Sequence, residues 1–124
     1  MKTKLVNRIL VVAGLSVLLV ACGGDKPSEQ DQGALAAQAQ TLTPADEALA
    51  SVYDRSCKAC HAVAGTGAPL TGDTAGWEPR MDQGMDLLVD HVITGFGSMP
   101  PFGFCMDCDA EQFEALIQFM ATGK

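Results

Sequence analysis

Apolar residues recur at helical spacing in three stretches of the chain, and no stretch alternates convincingly like a strand. In the first stretch Ala45, Ala48, Leu49, Val52 and Tyr53 share a face behind Thr43-Pro44-Ala45-Asp46. There Thr43 is placed to cap, Pro44 suits the first helical position and Asp46 offers a capping carboxylate. The second sets Met85, Leu88, Val89, Val92 and Ile93 at helical spacing between Gly84 and Thr94 and stops at Gly95. The third opens on Asp109 as cap with Gln112 three residues on, then places Phe113, Leu116, Ile117 and Met120 on one side before Gly123. The pattern predicts an all-α domain over residues 43–124, built of short helices and Gly- and Pro-rich loops.

Two segments precede that domain. Residues 1–21 carry Lys2, Lys4 and Arg8 ahead of the largely apolar run Ile9 to Val20, a secretion-signal pattern whose twelve residues are too few to span a bilayer. Leu19-Val20-Ala21-Cys22 resembles a bacterial lipobox, which implies cleavage before Cys22 and acylation of its sulfur; ordinary cleavage after small residues is the alternative. Either route puts the mature chain outside the cytoplasm. Residues 22–42 have almost no large apolar side chains and read as a flexible tether with a root-mean-square reach of roughly 25 Å. Within it Ala34-Leu35-Ala36-Ala37-Gln38-Ala39-Gln40 is rich in helix formers, so a helix extended backwards from the domain is the competing reading.

Charge narrows the partners. Of eight Lys and Arg, three leave with the signal, so five face fifteen Asp and Glu, a formal net charge of −10. Nucleic acid is thereby disfavoured, and a protein partner with a basic docking face is favoured, unless the acidic surface serves solubility alone.

A domain of about eighty residues holds only a marginal apolar core of its own. Cys57-Lys58-Ala59-Cys60-His61 names what fills it: this is the C-x-x-C-H pattern of covalent haem attachment. At i, i+3 and i+4 the two thiols and the imidazole share one helical face, so two thioethers and one iron ligand come from a single turn. A Cys57–Cys60 disulfide beside an incidental histidine, or half of a zinc site, are the competing readings; zinc needs further ligands at fitting spacing. For the sixth iron position the candidates are Met81, Met85, His91, Met99, Met106 and Met120. Met85 and Met120 fall on apolar helix faces and His91 on a helix flank, whereas Met99 stands in a Gly-rich loop before Pro100-Pro101, whose restricted backbone suits a fixed thioether.

With "CKACH", "GAPLTGDTAGWEPR", "GMDLLVDHVITGFGSMPP" and "CMDC", the chain resembles the class I c-type cytochromes, and within them the cytochrome c-five group, from about Pro44 to Gly123. The resemblance implies a small all-helical fold with first and last helices crossing around one haem c, His61 and Met99 as axial ligands, and one-electron transfer at an exposed haem edge. It implies a proline carbonyl orienting the ligand imidazole, with Pro69 the candidate, although Ala68 separates it from Gly67 where the usual pattern has a Gly-Pro pair. Trp77 and Arg80 resemble the segment packed near a haem propionate, with plain packing and a surface charge as the competing reading.

Cys105-Met106-Asp107-Cys108 is followed by Asp109, so the histidine a second haem requires is missing, and the strand that precedes a thioredoxin-like dithiol is missing too. Two close thiols outside the cytoplasm are expected to pair, and the resemblance also implies a disulfide here. Such a bridge between the Met99 loop and the last helix would act as a clasp that keeps Met99 at iron.

The expectation is a lipid-anchored monohaem electron carrier of the cell envelope, facing the periplasm, with redox protein partners and no small-molecule substrate. A haem sensor or gas-binding protein is the alternative and requires a labile Met99. An enzyme such as a peroxidase is disfavoured by the single C-x-x-C-H and the lack of an obvious distal acid or base.

Overall fold

The computed structural model describes residues 28–124; the signal segment, Cys22 and the first part of the tether lie outside them. The described chain is helical: α1 (Glu29–Thr41), α2 (Glu47–Val52), a π-helical turn (Tyr53–Cys57), α3 (Lys58–His61), α4 (Thr74–Met81), α5 (Met85–Thr94), a 3₁₀ turn (Pro101–Phe104) and α6 (Ala110–Thr122). The one β feature among the described residues is an isolated antiparallel bridge between Phe96 and Met99.

The strongest apolar stripes form the helices that the pattern predicts. In α5 Leu88, Val89 and Val92 are buried, and Gly84 and Gly95 end the helix on either side. In α6 the capping box is complete: the Asp109 carboxylate accepts from Gln112 N at 2.9 Å, and the Gln112 side chain accepts from Asp109 N at 3.1 Å. Its inner face buries Phe113, Leu116, Ile117, Phe119, Met120 and Ala121, and the helix stops at left-handed Gly123. Tyr53, fully buried, meets Phe119 edge to face at 5.0 Å between ring centroids, joining the π-turn to α6.

Two expectations are corrected, and one helix is added to those the pattern predicts. Residues 29–41, inside the span read as a flexible tether, form a separate helix capped by Ser28, and it does not run on into α2 because the backbone is extended at Leu42. Its partly buried positions Gln32, Leu35, Ala36 and the fully buried Ala39 recur at helical spacing, a stripe of small contrast. The next helix begins later than expected: Asp46, not Thr43, is its cap, accepting from Leu49 N at 2.9 Å, while Pro44 lies ahead of the helix and is buried. Ala45 and Ala48 are exposed, so only Leu49, Val52 and Tyr53 of the expected face pack inward. Finally, Thr74–Met81 is helical with Asp73 as cap, although only Trp77 along it is buried and Pro79 sits inside it.

The cap assignment has a direct consequence. Asp46→Ala removes an acceptor that a helix N–H uses and is expected to cost about 1 kcal/mol, whereas Thr43→Ala is expected to change stability by less than about 0.5 kcal/mol. Denaturant unfolding of the two variants checks it; equal losses would return the cap to Thr43.

Candidate haem site

The residues singled out in the sequence come together around two adjoining cavities, of about 330 Å³ and about 180 Å³. His61, Pro69, Arg80, Phe96 and Met99 line both. Cys57 and Cys60 line the smaller one, and Trp77, Leu88, Val92, Ile117 and Met120 wall the larger.

The attachment segment differs locally from an ideal α-helix. A π-turn ends at Cys57, with Lys58 N–H bonded to the Tyr53 carbonyl, before α3 carries Cys60 and His61. Beyond that turn Cys57, Cys60 and His61 line one cavity. Both cysteines are free thiols, Cys57 partly buried and Cys60 exposed. Burial pushes the Cys57 thiol up to about 11, with Cys60 adding and Arg55 opposing, so it stays protonated at neutral pH.

His61 is 7% exposed, and its Nδ1 lies 2.8 Å from the Pro69 carbonyl oxygen. A carbonyl only accepts, so Nδ1 carries the proton and Nε2 keeps its lone pair for a metal. Burial holds the imidazole below its ordinary pKa; the Pro69 bond opposes this and the Arg80 charge adds to it. The neutral ring is the form that ligates iron.

The loop that delivers Pro69 is tied down from several elements. Thr71 N–H donates to the His61 carbonyl at 2.7 Å, and the Trp77 indole N–H donates to the Leu70 carbonyl at 2.9 Å. Tyr53 Oη donates to Thr71 Oγ1 at 2.9 Å, and Gly72 N–H donates to the Met120 carbonyl at 2.7 Å. Trp77 also stacks on His61, with ring centroids 5.7 Å apart and planes 25° apart. Its N–H is thereby bonded to backbone, and Trp77 both fixes the histidine loop and walls the larger cavity. Arg80 is half-buried and donates from Nη1 to the Gly76 carbonyl. A guanidinium has five N–H donors, so capacity remains for a carboxylate at the cavity.

Among the alternative sixth ligands, His91 and Met120 line the larger cavity only, Met81, Met85 and Met106 line neither, and Met106 is 73% exposed. Met99 is held by a two-residue turn: Met99 N–H donates to the Phe96 carbonyl at 2.9 Å and Phe96 N–H donates to the Met99 carbonyl at 3.1 Å. Gly95 is obligatory behind it. Its φ is +85°, and a Cβ there would lie 3.0 Å from Met99 O and 3.1 Å from Pro101 N. After the prolines, Phe102 and Phe104 have φ of 59° and 66°, strain that steers the chain around the cavity mouth.

Cys105 and Cys108 are joined by a disulfide, with Cα atoms 5.4 Å apart. The exposed Arg55–Asp107 ion pair, at 3.0 Å, links this loop back to the π-turn, and Arg55 also approaches Cys105 Sγ at 3.3 Å. The sequence reading missed Arg55, and it missed Phe96 and Phe104, which line the smaller cavity yet are 61% and 69% exposed. The repeated aromatic-glycine spacing in Gly95-Phe96-Gly97 and Phe102-Gly103-Phe104 was the available signal for the aromatics.

The donor set tests whether a haem fits. Two free thiols, a neutral imidazole with an open Nε2, a backbone-fixed thioether, largely apolar walls and a guanidinium with unused donors are the groups a covalently held haem requires. Ser56 Oγ, buried beside the smaller cavity without a hydrogen-bond partner among the described residues, offers one more polar contact for a bound group. The residues fit.

Comparison with known proteins accords with this chemistry. Residues 44–120 match the family model described as cytochrome c oxidase, cbb3-type, subunit III. Cytochrome c5 of Ectopseudomonas mendocina is 39% identical over 72 residues, covering 56% of this chain and 83% of that one. Cytochrome c5 of Azotobacter vinelandii is 38% identical over 72 residues, 56% of this chain and 87% of its own. Cytochrome c-555 of Chlorobaculum tepidum is 46% identical over 57 residues, 43% of this chain and 53% of its own. A chain in the crystal structure of an electron transfer complex of nitrite reductase with cytochrome c superposes with a TM-score of 0.54 at 36% identity, covering 61% of this chain and 93% of that chain.

The turn that holds Met99 is open to a stability test. Gly95→Ala adds both strain and a clash with backbone and is expected to cost about 2 kcal/mol or more, against about 1 kcal/mol for Gly97→Ala, whose Cβ meets nothing within 4 Å. Thermal unfolding compares them; a harmless Gly95→Ala would mean the turn does not need glycine.

Proposed function

Taking as premise that the chain belongs to the class I c-type cytochromes, we propose that it carries single electrons between redox proteins of the bacterial cell envelope through one covalently attached haem c. The observation that carries this reading is that His61 and Met99 line both of two adjoining cavities, with Cys57 and Cys60 at the smaller one.

When bound, haem supplies a one-electron ferric/ferrous couple. Cys57 and Cys60 would hold it by thioethers, which would prevent its loss outside the cell. His61 would offer Nε2 as an iron ligand, because Pro69 occupies Nδ1–H. Met99 would offer its thioether sulfur as a second ligand, and the histidine–methionine pair favours ferrous iron and raises the reduction potential. Arg80 would pair with the carboxylates. The largely apolar walls would limit water around the group. With both His61 and Met99 ligating, no position would be left for a substrate or a gas.

Exchange with partners takes place at the rim where exposed Phe96 and Phe104 flank the smaller cavity. The protein's acidic balance favours partners with a basic surface around an apolar centre, with association that slows as ionic strength rises. The secretion signal and Cys22, as a lipidated N-terminus, support attachment to a membrane facing the periplasm.

The spectrum of the ferrous full chain with carbon monoxide tests the ligand set. The parent is expected to bind carbon monoxide slowly or not at all, and Met99→Ala rapidly; rapid binding by the parent would replace the carrier with a gas-binding protein. The clasp is tested separately. In the chain-entropy view so short a disulfide loop contributes about 2 kcal/mol. Cys105→Ser with Cys108→Ser is expected to lose the sulfur-to-iron absorption band at a lower temperature than the parent; loss at the same temperature would end the clasp idea.

A further inference from the structure

We propose that the segment from α1 through Leu42, which precedes the family-matched residues 44–120, is a positioning strap for His61 and thereby sets the reduction potential. This rests on His61 being the axial ligand. Gln40 and Leu42 are positioning residues that touch neither cavity; they hold the two ends of the loop whose Pro69 carbonyl fixes the imidazole.

At the near end, α3 stops at His61 and leaves carbonyls without helical partners. Each finds a separate donor. Cys60 O accepts from Thr66 Oγ1 at 2.9 Å, His61 O from Thr71 N at 2.7 Å, and Ala62 O from Gln40 Nε2 at 2.8 Å across 22 residues. Ala62 is 1% exposed with the exposed Gln40 side chain lying over it, so without Gln40 its carbonyl exchanges a fixed partner for mobile water and the tie across 22 residues is lost.

At the far end, Leu42 fills a notch between Gly72 and Gly123. A Cβ on Gly72 would lie 2.8 Å from Leu42 Cδ1, and a Cβ on Gly123 would lie 3.2 Å from the same atom. The two glycines leave this space, and Leu42 occupies it, pressing the end of the histidine loop against the end of α6. Ala39, one turn earlier, is fully buried, and Gln32, Leu35 and Ala36 are partly buried at helical spacing before it.

The contact ends on the ligand through one hydrogen bond. A well-placed carbonyl on Nδ1–H makes Nε2 a stronger donor, which favours ferric iron and lowers the potential. Loosening the loop weakens that bond and raises the potential, without altering any residue at the cavity.

The test uses the full-length holoprotein. Gln40→Ala, Leu42→Ala, their combination and the conservative Leu42→Met are compared by redox titration and by NMR exchange of the His61 Nδ1 proton in the ferrous state. The expected result is a higher midpoint potential and roughly tenfold faster proton exchange in the alanine variants, with Leu42→Met restoring both. Unchanged potential and exchange alongside a lowered unfolding temperature would reduce the segment to ordinary packing and overturn the proposal. Should the combined variant fail to fold, Gln40→Ala alone, which deletes one hydrogen bond, gives the same decision. A parent without a histidine–methionine haem spectrum would overturn the carrier reading itself, and it is recognised before any variant is made.

Discussion

Everything at the site depends on the bond between His61 Nδ1–H and the Pro69 carbonyl, 2.8 Å long and partly buried. It decides which ring nitrogen carries the proton, and so which one is free to bind metal. It also decides where the ring points. Much of the surrounding structure keeps that carbonyl in place: Trp77 and Tyr53 donate to residues 70 and 71, α6 accepts from Gly72, and Trp77 stacks on the imidazole itself. These buried groups hold a backbone loop still, so the metal ligand is set by the fold rather than by its own rotamer alone.

The other side of the cavity is fixed by different means. Met99 has no comparable set of buried side-chain donors behind it; its backbone is closed on Phe96 by two hydrogen bonds, backed by Gly95 and stiffened by the prolines that follow. The disulfide closes the next loop on itself, and the Arg55–Asp107 pair binds that loop to the π-turn that carries Cys57. An exposed ion pair contributes little by itself. Its place matters more, because it joins the attachment segment and the methionine loop, which are far apart in sequence.

The sequence was most legible where one local rule sufficed. Helices α5 and α6 follow from strong apolar stripes with glycine and carboxylate punctuation, and C-x-x-C-H is a short pattern with few other uses. Met99 stood apart from the other methionines because its loop context differs from theirs. What escaped was weak in contrast or long in range. The inner face of α1 is Gln32, Leu35, Ala36 and Ala39, too slight a stripe to separate from a linker, and α4 buries Trp77 alone. The π-turn is a change of hydrogen-bond register that leaves no mark on composition. Asp46 outcompetes Thr43 as cap by its position relative to Leu49 N, and the Gln40–Ala62 and Arg55–Asp107 contacts join residues that no spacing rule connects.

The central claim is a single covalent haem whose iron changes by one electron with both axial ligands in place. Mass measurement together with a spectrally followed redox titration of the full chain, matured in a haem-competent secretory host, tests it most directly. The account requires the mass of one attached haem, a reversible one-electron curve and a sulfur-to-iron band in the ferric form. A protein that leaves the secretory pathway without haem, or whose ferric form lacks that band, would contradict it.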